Sequence, residues 1–139
     1  MEKVNWLLVL WVLTALFCLR VAGQPLAALV DVPGLPPFDA WHSGALPYPA
    51  LLAAQLAIVA WLVRTTRAVG AGRVRWRRSL GRWLLAASCL YGAIMAARLV
   101  LGATILRDVP WFARPVPTVF HLVLAAYLGV YGRLHLRRG

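Results

Sequence analysis

Acidic side chains are nearly missing from this 139-residue chain: Glu2, Asp31, Asp39 and Asp108 face fifteen lysines and arginines, giving a formal charge of +11. None lies in a long apolar run, so the intramembrane carboxylate on which small multidrug exporters depend is absent. Cysteine is also scarce. Cys18 and Cys89 form no Cys-x-x-Cys pair, which argues against a membrane thiol oxidoreductase. There is no Gly-x-Ser-x-Gly, no His-Glu-x-x-His and no phosphate loop, so the usual hydrolase and phosphotransfer signatures are missing. Charged residues of either sign make up 14% of the chain and hydrophobic ones 62%. A soluble domain of this size and composition would carry a grossly apolar surface, so the solvent for most of the chain is lipid.

A hydrocarbon core of roughly 30 Å needs about 20 mostly apolar helical residues. Four stretches approach that length: residues 4–22, 48–63, 83–106 and 116–132. The second reaches full length only by including the flanking Leu46 or the stem of Arg64, which can snorkel to the interface. No run alternates apolar and polar residues as a membrane barrel requires, and backbone groups in lipid must be satisfied internally. The sequence therefore predicts an all-α integral membrane four-helix bundle, one transmembrane domain over residues 1–139. Connecting loops are expected at residues 23–47, 64–82 and 107–115. On these spans Cys18 and Cys89 differ in depth by roughly 10 Å and cannot bridge.

Charge orients the bundle. Residues 64–82 carry Arg64, Arg67, Arg73, Arg75, Arg77, Arg78 and Arg82 without an acid, whereas residues 23–47 hold only Asp31 and Asp39. By the positive-inside rule the arginine loop is cytoplasmic. Arg133, Arg137 and Arg138 in the tail and Lys3 at the amino end agree, placing both termini cytoplasmic in a cell membrane such as the bacterial inner membrane. Topology and anionic headgroups account for the arginines without nucleic acid, the alternative being a cytoplasmic partner with an acidic face. At the amino end, Val21-Ala22-Gly23 resembles a signal-peptide cleavage site. Arg20 interrupts that pattern and the apolar core is long for a signal, so a retained first helix is expected.

The external side carries the distinctive chemistry. The first loop, rich in proline and containing the apolar run Leu26-Ala27-Ala28-Leu29-Val30, is expected to fold onto the helix ends with a short interfacial turn. Trp41, Tyr48, Trp111 and Phe112 suit the headgroup level. Arg98 lies about 12 Å below the predicted outer end of the third helix, too deep to snorkel easily. Arg20, Gln55 and His121 place a polar group in the outer half of each of the other helices. A ligand-binding pocket of Arg20, Gln55, Arg98 and His121 follows, capped by Asp39 and His42, with Trp41 and Trp111 at its rim. Because the spans hold no acid, the counter-ion of Arg98 is expected from Asp39, Asp31 or Asp108, or from a bound anion.

The same polar groups admit a purely structural reading, in which an arginine pins a loop and a histidine serves a carbonyl. Three functional classes fit the pattern. The first is a non-catalytic binding or complex-supporting protein holding a lipid headgroup, quinone or other anionic ligand. The second is a haem- or quinone-linked redox protein, with His42 and His121 as haem ligands. The third is a small solute transporter. The expected partners are membrane lipids, together with another membrane protein or further copies of the chain. Ser88, Gly92 and Ala96 form a small-residue stripe on the third helix that predicts close helix packing, within the bundle or between copies.

Overall fold

A computed structural model describes residues 5–30, 33–34, 37 and 46–139. Its elements are helical: α1 (Trp6–Leu29), α2 (Tyr48–Gly70), α3 (Arg78–Ala103), the short α4 (Pro110–Ala113) and α5 (Pro115–Arg138). The four long helices are each long and apolar enough to cross a membrane. At 1.5 Å per residue they measure about 34–39 Å, which exceeds a hydrocarbon core.

Local chemistry sets their ends. Asn5 caps α1, its Oδ1 accepting the Leu8 N–H at 3.3 Å. Proline stands in the first turn of α2, α4 and α5, where a missing N–H costs nothing. The end of α2 is a Schellman turn, with Arg73 N–H donating to Ala68 O and Gly72 N–H to Val69 O. It needs a left-handed residue, and Gly72 supplies it at φ +66°.

Three boundaries run past the apolar stretches. α1 continues through Pro25 to Leu29 in place of a separate interfacial turn, and the arginine loop shrinks to residues 71–77 because α2 extends to Gly70 and α3 begins at Arg78. Helical hydrogen bonding does not stop where hydropathy falls, so polar turns continue each helix beyond its apolar part. In contrast, α3 ends at Ala103, short of Leu106, and the chain folds back through α4.

α3 packs most closely on α5, and α1 lies against both α2 and α5. The α3–α5 seam is made of small residues. A Cβ on Gly81 would sit 2.8 Å from Gly132 O, and one on Gly132 would sit 2.9 Å from Leu84 Cβ. Ser88 Oγ donates to Ala125 O at 2.7 Å across the same seam. Ser88 and Gly92 of the small-residue stripe therefore pack within the bundle, while Ala96 is exposed.

The interior is inverted relative to a soluble protein. Among the described residues nine polar or charged ones are buried against eight hydrophobic ones, and Leu90, Trp83 and Ile105 are 66%, 76% and 78% exposed. In water that arrangement would forfeit the hydrophobic driving force, whereas lipid is a good solvent for the outer face. Several of the buried polar groups satisfy one another. Thr14 donates to Leu10 O at 2.8 Å and meets Thr66 Oγ1 at 3.3 Å. Thr66 in turn meets the Tyr127 hydroxyl at 2.8 Å, which also reaches Leu62 O at 3.2 Å. This chain of hydroxyls ties α1, α2 and α5 together.

Asn5, Gly70, Gly72 and Arg138 border a common cleft, so the start of α1, the end of α2 and the end of α5 share one end of the bundle with the arginine turn. Cys18 and Cys89 are free thiols.

Candidate functional site

The half of the bundle away from the arginine turn holds a cavity of ≈ 110 Å³ to which all four long helices contribute. α1 supplies Phe17 and Arg20, α2 Gln55 and Ile58, α3 Tyr91, and α5 Phe120 and His121. Helical periodicity explains the grouping. Phe17 and Arg20 are three residues apart, as are Gln55 and Ile58, so each pair shares a helix face.

Arg20 is 5% exposed, and its Nη1 donates to Gln24 Oε1 at 2.6 Å, one turn along α1. His121 Nδ1 is hydrogen-bonded to the Tyr91 hydroxyl, with the two rings edge to face at 5.8 Å between centroids. Gln55 is 6% exposed, and its Oε1 is a buried acceptor without a hydrogen-bond partner among the described residues. Such an unmatched group costs roughly 1–3 kcal/mol unless something supplies a donor. No family model, curated protein or solved structure matches this chain.

Of the residues the sequence singles out, Arg20, Gln55 and His121 thus line one cavity. Arg98 stands apart from it. The residue is 3% exposed, and its guanidinium donates from Nε and Nη2 to Trp111 O at 3.0 and 2.5 Å, while its Cζ lies 3.9 Å from the centre of the Trp111 ring. The fold-back after α3 makes this possible, bringing Phe112 O against Gly102 so closely that no side chain fits there. Among the described residues, a carbonyl and an aromatic face are what Arg98 meets. Asp108, the described one of the three candidate counter-ions, is exposed and makes no ion pair with Arg98. Asp31, Asp39, Trp41 and His42 lie outside the described residues. Trp111 itself packs edge to face with Phe112 at 4.8 Å between ring centres and is 39% exposed.

Tyr91, Phe17 and Phe120 are the cavity residues that polarity alone does not reveal. Tyr91 precedes Arg98 by seven residues, two turns along one face of α3, but that spacing does not say which neighbour the face meets. The cavity also bears on the haem reading. At ≈ 110 Å³ it is smaller than the ~150 Å³ void that accepts one benzene ring, so a porphyrin requires the helices to part. His121 further commits Nδ1 to Tyr91, leaving one ring nitrogen for any other role.

Proposed function

We propose that this chain is an integral membrane protein, with the arginine turn and both termini cytoplasmic, that binds the polar head of a small amphipathic molecule in the outer half of the bundle. The observation that carries the reading is the unmatched Gln55 Oε1, at the wall of a cavity where four helices converge. A ligand hydroxyl would satisfy it. The apolar residues beside it, Leu51, Ile58 and Leu124, suit the first carbons of a tail.

A quinol head is the second reading, favoured by the aromatic walls Phe17, Tyr91 and Phe120, against which a flat ring can pack once the walls part to admit it. The cytoplasmic placement rests on the crowding of arginines at one end of the bundle, which the positive-inside rule assigns to that side.

Solvent extraction of the detergent-purified protein followed by mass spectrometry tests the proposal. The wild type should yield one hydroxyl-bearing amphiphile near stoichiometric amount, and Gln55→Leu should retain about tenfold less, the loss of one buried hydrogen bond. Identical extracts from both proteins would reduce Gln55 to a structural group. Absorbance changes on borohydride reduction of the extract separate a quinone from other lipids.

A further inference from the structure

The opposite end of the bundle carries a second cleft, of ≈ 470 Å³, between the end of α2, the 71–77 turn and the end of α5. Arg64, Arg73, Arg75 and Arg77 line it, and no acid among the described residues does. Beneath the arginines, Trp61 and Tyr131 contribute an aromatic floor, edge to face at 6.4 Å. Trp61 precedes Arg64 by one turn on α2, and Tyr131 precedes His135 by one turn on α5. Going from the bundle toward its end, the cleft thus changes from aromatic to cationic.

His135 makes the wall rigid. It is 1% exposed, its Nδ1 accepts the Arg77 N–H at 3.0 Å, and its ring packs edge to face on Trp76 at 5.1 Å and Tyr131 at 4.7 Å. The arginine turn is therefore pinned to α5 and does not form a loose basic tail. Because Nδ1 accepts, the ring proton resides on Nε2, and that buried N–H has no partner among the described residues. Four guanidinium forks and an unmatched imidazole N–H favour an anion with several acceptor oxygens.

We propose that this cleft is a binding site for a phosphate group, borne either by an anionic phospholipid or by a soluble phosphomonoester. The aromatic floor suits the glycerol and first acyl carbons of a lipid, and the arginines suit its phosphate at the interface. The site is independent of the outer cavity, being built from other residues at the other end of α2 and α5.

Native mass spectrometry of the full chain in a zwitterionic detergent tests it, with phosphatidylglycerol and glycerol 3-phosphate as probes. Both a cleft variant, Arg64→Gln with Arg73→Gln, and a control, Arg82→Gln with Arg133→Gln, remove two exposed arginines, so general charge attraction falls equally. One-to-one adducts should weaken about tenfold more in the cleft variant than in the control, because only the cleft variant loses directed hydrogen bonds. Adducts with the lipid alone identify a membrane source, and displacement by glycerol 3-phosphate identifies a soluble one. Equal weakening in both variants would leave only diffuse attraction and overturn the site, as would the absence of one-to-one adducts with either probe. Should the cleft variant fail to fold, Arg64→Lys with Arg73→Lys keeps the charge but loses the fork. Undiminished affinity there would equally overturn a built phosphate site.

Discussion

Two glycines facing the same interface should respond in opposite ways to a single methyl group. Gly132 on α5 lies against α3 so closely that a Cβ would be 2.9 Å from Leu84 Cβ and 3.1 Å from both Gly81 O and Leu85 N. Carbon atoms prefer about 3.5–4.0 Å, so Gly132→Ala must push α5 from α3 by roughly 0.6–1 Å. Two of the three contacts are backbone, and no rotamer change relieves them. The shift would also stretch the Ser88 Oγ to Ala125 O hydrogen bond, now 2.7 Å, two turns along the seam. Overpacking of this kind costs about 1–3 kcal/mol. Gly92 lies farther along the seam, where a Cβ would find only Ala125 Cβ, at 3.7 Å, an ordinary contact. Gly92→Ala should therefore be neutral or stabilising by up to about 1 kcal/mol, the difference in helix preference. Thermal unfolding in detergent, followed by circular dichroism, measures both. Equal midpoints for the two variants, or a Gly132→Ala protein as stable as the wild type, would refute the close approach of α3 and α5.

Arg98→Leu removes two hydrogen bonds and a cation-π contact but also relieves the cost of a cation at depth, terms of about 1–3, 0.5–2 and 2.5–3.5 kcal/mol. The sum is small, so the unfolding midpoint should move little while amide exchange across residues 109–114 accelerates; unchanged exchange there would dismiss Arg98 as the anchor of the fold-back. Tyr127→Phe keeps the ring edge to face with Trp61 at 5.8 Å but loses the hydroxyl shared by Thr66 and Leu62. A loss of about 1–2 kcal/mol is expected in a denaturant titration, and no loss would mean that the hydroxyl chain contributes nothing. With Cys18 and Cys89 replaced, Ser43→Cys should react with an impermeant thiol reagent in intact cells and Ser79→Cys should not; labelling at residue 79 from outside would invert the proposed topology.

The linear order of residues determined what depends only on composition along the chain. Four apolar runs near the length of a bilayer, arginines crowded between the second and third, and prolines at helix starts are one-dimensional signals, and each has its counterpart in the fold. Helix ends were less legible, because α2 and α3 continue as hydrogen-bonded helix through Arg67 and Arg78, where hydropathy reports the edge of the lipid and not the edge of the helix. Depth could also be read from sequence, and it grouped Arg20, Gln55 and His121 in the half of the bundle away from the arginine turn. What it could not supply is rotation about each helix axis, since neighbouring residues point about 100° apart and only packing chooses which face looks inward. Packing placed Tyr91 against His121, left Arg98 outside the cavity, and gave it the carbonyl of Trp111, a partner that exists only because the chain turns back after Ala103. Likewise, no pattern in the arginine turn announces that His135, fifty-eight residues beyond Arg77, fixes its backbone. That contact joins the two ends of the α3–α5 hairpin, and only the close seam at Gly81 and Gly132 brings them within reach.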